Sequence, residues 1–78
     1  MSNPFIGFPL GIDEALVVFE FLETVSKDSL RAIASEAEVL ALMRVAGAIE
    51  RTIPEVFAPN YAALLADARE RLDRQARS

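Results

Sequence analysis

The fold is decided by residues 30–53, which read LRAIASEAEVLALMRVAGAIERTI. On a helical wheel, the apolar side chains of the first part share one sector, and those of the second part share a sector rotated by roughly 150°. The first stripe comprises Leu30, Ile33, Ala34, Ala37, Leu40 and Ala41, and the second comprises Leu42, Val45, Ala46, Ile49 and Ile53. A straight surface helix with one buried face does not give two rotated stripes. The pattern predicts either one helix with two successive neighbours or two helices separated by a break.

Local signals within this stretch support both a break and a continuous helix. Ser35, followed three residues later by Glu38, matches the capping box that starts a helix. However, no Gly or Pro lies between Asp28 and Val45, and Ala, Leu, Glu and Arg are good helix formers. We therefore favour one continuous helix. Because the stretch is apolar around most of its circumference, we expect it to be the most buried element. Gly47 indicates either close approach of another helix or a tolerated glycine.

Length and composition limit the possible classes of function. The 78 residues make one domain near the lower size limit for a self-sufficient core. The chain has no Cys and no His, so it offers no disulfide, no thiolate metal site and no histidine general base. Glu20 and Glu23 are interpreted as a solvated helix face, and Glu36 and Glu38 point apart on a helix. We therefore expect no enzyme activity, no metal and no cofactor.

The balance of apolar and charged residues indicates association with other proteins. The hydrophobic fraction is 53%, above the roughly 45–50% of ordinary globular chains, which is hard to bury in so small a domain. The net charge of −4 does not favour nucleic-acid binding. The first residues lack the features of a signal peptide, and no apolar run has the ~18 residues of a membrane span. We expect a cytoplasmic protein that binds itself and another protein.

Residues 1–12 are predicted to form an extended N-terminal arm. Prolines and glycines, which disfavour helix and strand, alternate there with strongly apolar side chains. The first group comprises Pro4, Gly7, Pro9 and Gly11, and the second comprises Phe5, Ile6, Phe8 and Leu10. A solvent-exposed disordered tail does not normally carry such apolar residues. The arm should therefore lie in a groove, either of its own domain, which we favour, or of a neighbouring chain.

Residues 13–77 are predicted to form a single helical domain. Residues 13–25 favour a first helix, with a short strand as the alternative because of their Val and Phe content. The apolar sector of this helix spans roughly 200°, which is enough for two neighbours. One neighbour would be the 30–53 stretch, and the other would be the arm or a second subunit. Asp28 is a suitable N-cap for the next helix.

The C-terminal third of the chain predicts a helix end, a turn and an outer helix. Pro54 should end the preceding helix, and residues 54–58 could form one helical turn that packs Val56 and Phe57 inward. A last helix from Pro59 to about residue 76 has a narrow apolar face and carries the pairs Asp67–Arg71, Glu70–Arg74 and Asp73–Arg77. The fold class is therefore all-α, a small three- or four-helix bundle with an extended apolar arm.

Residues 30–39 resemble the first helix and turn of a helix-turn-helix. Glu38 stands where such turns usually have Gly, and Arg44 is the only polar donor before Arg51 in the segment that would read bases. The resemblance implies a DNA-binding regulator, which ranks third among our functional hypotheses.

Two hypotheses rank above DNA binding. The first is a non-catalytic protein-interaction or regulatory module that acts as a homo-oligomer, most simply a dimer, through an apolar surface on the arm and first helix. The interface candidates are Phe5, Ile6, Phe8, Leu10, Val17, Phe21 and Val25. The second is a small carrier that binds an apolar ligand in a pocket lined by Phe5, Phe8, Phe19, Phe21 and Phe57. These rings could equally form the core of so short a chain.

Overall fold

The computed structural model describes residues 4–78 and contains four α-helices. They are α1 (Ile12–Thr24), α2 (Lys27–Ile33), α3 (Glu36–Thr52) and α4 (Tyr61–Arg77), with a 3-10 turn at Pro54–Phe57 between the last two. No strand occurs in this part of the chain, so the all-α prediction is confirmed and the strand alternative for the first helix is wrong. Residues 1–3 of the predicted arm lie outside the described residues.

The prediction of a continuous helix over residues 30–53 is wrong, because the chain breaks between α2 and α3. Ser35 has an extended backbone, with φ −73° and ψ 166°. Its Oγ accepts a hydrogen bond from the Glu38 amide at 3.3 Å, and its own amide donates to Glu38 Oε1 at 2.7 Å. This reciprocal capping box satisfies two donors that a helix start leaves free. It therefore ends α2 and starts α3 without any Gly or Pro.

The starts of the first two helices also differ slightly from prediction. Helix α1 begins one residue earlier than expected, and the Gly11 amide donates to Glu14 Oε1 at 2.9 Å just before it. The N-cap of α2 is Ser26 rather than Asp28, because the Ser26 hydroxyl accepts a hydrogen bond from the Ser29 amide at 3.0 Å. The Ser26 hydroxyl lies just before the helix and so can accept from the free Ser29 amide, whereas Asp28 lies inside the first turn.

Helix α1 is the centre of the fold, which corrects the prediction that the 30–53 stretch is the most buried element. It packs against α3 on one side and α4 on the other. Its buried residues are Ala15, Leu16, Phe19 and Leu22. Ala15, Phe19 and Leu22 form one cluster with Ala46 and Ile49, and Leu16 forms a second cluster with Leu65 and Ala68. The wide apolar sector of α1 therefore does have two neighbours, and the second is α4 rather than the predicted arm or second subunit.

The two apolar stripes of the 30–53 stretch have different environments. In the first stripe Leu30 is buried, but Ile33 is 85% exposed and Leu40 is 54% exposed. In the second stripe Ala46 and Ile49 are buried in the contact with α1. Gly47 does not mark a close approach between helices: a Cβ placed there would meet Arg51 Nη1 of its own helix at 3.2 Å.

Helix α4 lies antiparallel to α1, because Asp13 at the start of α1 contacts Arg71 near the end of α4, and Glu20 contacts Tyr61 at its start. Its predicted narrow face is confirmed by the burial of Leu65 and Ala68. The predicted pair Glu70–Arg74 forms at 3.5 Å, whereas Arg71 pairs with Asp13 instead of the expected Asp67.

The segment between α3 and α4 agrees with prediction in one part and disagrees in another. Helix α3 ends at Thr52, and Ile53 before Pro54 is extended, with φ −116° and ψ 102°, as expected for a residue that precedes proline. Phe57 does not pack inward as predicted but is 70% exposed. In a turn of only four residues, the half-buried Val56 takes the inward position against both core clusters.

Candidate interaction surface

The arm is extended and exposed over its described residues. Phe5 is 99% exposed, Ile6 84%, Phe8 67% and Leu10 42%. The favoured prediction that the arm is buried in a groove of its own domain is therefore wrong. The arm joins α1 at Gly11, whose backbone is extended with φ −69° and ψ 156°. Because the arm is not packed onto the bundle, its apolar side chains remain accessible to solvent.

An open space separates the arm from the outer face of α3. A groove of about 280 Å³ lies between Phe8 and Leu10 of the arm and residues of α1 and α3. Its remaining lining residues are Ala15, Val45, Ala48, Ile49, Thr52 and Ile53. A wider hollow of about 790 Å³ continues from it between residues 4–8 and α3. Almost every side chain around the groove is apolar, so filling it would remove apolar surface from water.

Helix α1 contributes a smaller exposed apolar patch. Phe21 is 60% exposed, whereas the other two α1 candidates, Val17 and Val25, are half-buried. Val17 packs against the α1–α4 cluster. Val18 is 38% exposed and lies three residues before Phe21, a spacing that places both on one helix face. The exposed part of the predicted α1 surface is therefore Phe21, joined by Val18.

Several exposed apolar residues were missed by the sequence analysis. They are Ile12 at the start of α1, Val18 on α1, Ile33 at the end of α2, and Leu40 and Val45 on α3. The signal for Ile33 and Leu40 was the rotation between the two apolar stripes, because two stripes on different sides need two separate neighbours to cover them. Once the chain breaks at Ser35, most of the first stripe is the one left exposed.

Two polar contacts fix α1 against α4 and so determine which side of α1 faces solvent. Arg71 donates two hydrogen bonds to the Asp13 carboxylate, at 2.6 and 2.8 Å, and these hydrogen bonds to a guanidinium lower the pKa of Asp13. The Tyr61 hydroxyl donates to Glu20 Oε1 at 2.9 Å. Burial of the phenol, together with this carboxylate, raises the pKa of Tyr61 to about 12. With its polar edge held in this way, α1 presents Phe21 outward.

The five phenylalanines proposed to line a carrier pocket are not gathered around one cavity. Phe19 is buried in the core, and Phe21 and Phe57 are exposed. Phe8 lines the groove, and Phe5 and Phe8 line the adjoining hollow. The two arm residues are therefore the members of this set that adjoin an open apolar space.

Two of the carboxylates considered as candidates for chemistry take part in structural contacts. Glu20 accepts from Tyr61, and Glu36 accepts from Arg31 Nε at 3.0 Å. Residues 4–78 contain no group of three or more acidic, His or Cys side chains that could hold a metal ion. Among the same residues, each helix is either too short or too polar to cross a lipid bilayer.

In a helix-turn-helix protein α3 would be the helix that reads DNA, but much of its exposed surface is apolar. The exposed side chains of α3 include Leu40, Ala41, Val45 and Ala48 beside Arg44. Base edges are read through several hydrogen-bonding side chains on one face. The face of α3 is better suited to an apolar partner than to a major groove.

Comparison with protein-family models, with curated proteins and with solved structures finds no match for this chain. The fold and the surface together define a small all-α domain with an uncovered apolar arm. Its function is therefore argued from geometry and chemistry.

Proposed function

We propose that this protein is a non-catalytic interaction or regulatory module that acts as a homodimer through its arm and the exposed face of α1. The observation that carries the proposal is an excess of accessible surface. The chain exposes 6065 Å², whereas a compact monomer of 8.6 kDa is expected to expose about 4,700 Å². Phe5, Ile6 and Phe8 of the arm contribute to this excess, since they are 99%, 84% and 67% exposed.

The overall dimensions support the same conclusion. The radius of gyration is 14.0 Å, whereas a compact domain of this length is expected to have about 11.5 Å. A chain with so large an apolar fraction gains free energy by covering such a projecting segment.

Burial of the arm contributes a favourable energy to a dimer. Full burial of a Phe or Ile side chain stabilises by about 1.5–3 kcal/mol, and a symmetric dimer would bury Phe5, Ile6 and Phe8 from both copies. The six side chains together give roughly 9–18 kcal/mol by the same measure. The loss of translational and rotational freedom opposes this with about 4–15 kcal/mol. The midpoints of the two ranges leave about 4 kcal/mol in favour of association, and covering the apolar surface that receives the arms adds to this value.

The charge distribution is compatible with this arrangement. Residues 4–12 carry no charged side chain, so burying them does not remove a charged group from water. The net charge of −4 per copy gives a weak repulsion that salt screens. We therefore expect association to strengthen as salt is added.

Size-exclusion chromatography with light scattering tests the proposal on three matched variants. Phe8→Asp and Phe21→Asp place a charge in the proposed interface and should give monomers. Phe57→Asp makes the same chemical change at a residue that is 70% exposed and lies on neither the arm nor α1, so it should remain dimeric. Dimerisation of all three variants, or of none including the unmodified protein, would rule out the proposed interface.

A second candidate function is a carrier of a small apolar ligand, and the apolar groove favours it. Its volume of about 280 Å³ lies just below the range of small-molecule sites, roughly 300–1,000 Å³. Native mass spectrometry separates the two candidates. A monomer that retains an apolar molecule supports the carrier, and a ligand-free dimer supports the interaction module.

A further inference from the structure

We propose that the arm of each copy binds the outer face of α3 in the other copy, so that the dimer forms by reciprocal exchange of arms. This inference rests on the proposed homodimer and adds α3 to the interface already proposed for the arm and α1. The receiving surface comprises Ala41, Val45, Ala48 and Thr52 of α3 together with Ile53, and Arg44 and Arg51 lie beside it.

The arm makes few contacts with its own domain, so exchange costs little. Phe5 is 99% exposed, and a Cβ added at Gly7 would have no heavy atom within 4 Å. The chain turns directly from Gly11 into α1, and this short tether holds the arm above its own α3 with the groove and hollow between them. Exchange of a loosely held segment between identical chains is a low-cost route to a dimer.

The outer face of α3 is long enough to receive the apolar part of the arm. Residues 4–10 form neither helix nor strand, and the four residues from Phe5 to Phe8 would span about 12 Å at roughly 3.1 Å per residue when extended. The α3 segment from Ala41 to Thr52 rises about 16–17 Å at 1.5 Å per residue. Ala41, Val45 and Ala48 offer apolar side chains along this segment, with Arg44 and Arg51 beside them. An arm laid along α3 can therefore place Phe5, Ile6 and Phe8 over apolar side chains.

The interface formed by exchange has the area of a stable dimer. Each Phe ring can bury on the order of 150–250 Å², and each arm has two rings and Ile6 that are largely exposed. Two arms with the two faces that receive them would then bury roughly 1,500–2,000 Å² in total. Specific protein interfaces bury about 1,600 Å².

Disulfide trapping tests arm exchange. The chain has no native Cys, so only the introduced cysteines can form disulfides. One chain carries Gly7→Cys and the other carries Ala48→Cys; the first site has open space around it and the second is exposed on α3. The two proteins are mixed in equal amounts and treated with a mild oxidant. In the matched control, the second chain carries Ala66→Cys, at an exposed site on α4, instead of Ala48→Cys. Circular dichroism establishes that all three variants are folded.

Arm exchange predicts a mixed disulfide between the Gly7→Cys and Ala48→Cys chains, on the order of tenfold or more above the control pair, because bound sites have a millimolar effective concentration. Two results would overturn the inference while leaving the dimer intact. One is a dimer in which the mixed disulfide does not exceed the control. The other is a Gly7→Cys/Ala48→Cys double variant that closes its disulfide within one chain. A protein that stays monomeric overturns the proposed function itself.

Discussion

Arg71 of α4 holds the Asp13 carboxylate of α1 in a two-point contact, Nε to Oδ2 at 2.6 Å and Nη2 to Oδ1 at 2.8 Å. The two residues are 58 positions apart in sequence, so the pair joins the start of the domain to its end. Planar guanidinium and carboxylate groups matched in this way fix orientation as well as distance. Together with Tyr61 and Glu20, this contact determines how α1 is rotated in the bundle.

Replacement of Asp13 by Asn should lower stability at neutral pH but not in strong acid. The pKa of Asp13 is lowered in the folded state by its hydrogen bonds to Arg71. Its contribution is therefore complete above the unfolded-state pKa and disappears as pH falls through the folded-state pKa. Thermal unfolding from pH 7 to pH 2 should show Asp13→Asn melting below the unmodified protein at pH 7 and converging with it in acid. Asp73→Asn, on the exposed side of α4, is the control and should show no such difference. A gap of constant size down to pH 2 would contradict this assignment.

The single tyrosine should ionise at unusually high pH. Burial of the phenol and its hydrogen bond to Glu20 raise the pKa of Tyr61 to about 12, and no other Tyr or Trp interferes with absorbance measurements. Because the folded-state pKa exceeds the unfolded value, stability should fall as pH rises from about 10 to 12. Glu20→Gln should lower the pKa of Tyr61 part of the way, since burial is the larger cause. Glu23→Gln should lower it less. An unchanged titration in Glu20→Gln would show that the hydrogen bond has no part in the shift.

Loss of the Ser35 cap should destabilise the protein measurably. Ser35→Ala removes the acceptor for the Glu38 amide, and such changes cost about 1 kcal/mol. Urea unfolding should give that decrease, whereas Ser35→Asn, which keeps a capping oxygen, should stay within a few tenths of a kcal/mol. Equal stability of Ser35→Ala and the unmodified protein would mean that the break between α2 and α3 does not depend on the capping box.

Leu16 and Leu40 should contribute differently to the free energy of unfolding, because Leu16 is buried and Leu40 is exposed. Leu16 is 2% exposed in the cluster with Leu65 and Ala68, and Leu16→Ala should cost about 2–5 kcal/mol, a large part of the roughly 4–12 kcal/mol expected for a domain of this size. Leu40 is 54% exposed, and Leu40→Ala should change the free energy of unfolding by less than about 1 kcal/mol. Urea unfolding at equal protein concentrations measures both. Similar losses in the two variants would place Leu40 in the core and refute the described burial.

The sequence predicted those elements whose signals are local. Pro54 ends α3, and the acid–base spacing on α4 gives the Glu70–Arg74 pair. The break at Ser35 was the less favoured of two predicted alternatives, because a capping box is worth about 1 kcal/mol and the good helix formers around it favour a continuous helix. Arg71 had an equally suitable partner in Asp67 four residues away. Only the antiparallel packing of α1 on α4 brings Asp13 closer.

The burial of whole elements was less predictable because a helical wheel gives the width of an apolar face and not the identity of its neighbours. The wheel showed correctly that α1 needs two neighbours, but it did not identify α4 as the second. The interface candidates on the arm are exposed, as is Phe21, whereas Val17 and Val25 are half-covered. Val17 is covered because it lies on the side of α1 toward α4. That distinction depends on the rotation fixed by Arg71 and Tyr61.

Sedimentation equilibrium of the unmodified protein tests the central claim most directly, namely that the exposed arm is covered by a second copy in solution. The chain mass is 8.6 kDa. We predict that the fitted mass rises with concentration to twice this value in the micromolar range and that added salt shifts the transition to lower concentration. A mass that stays at that of one chain at every concentration, with or without salt, would contradict the account.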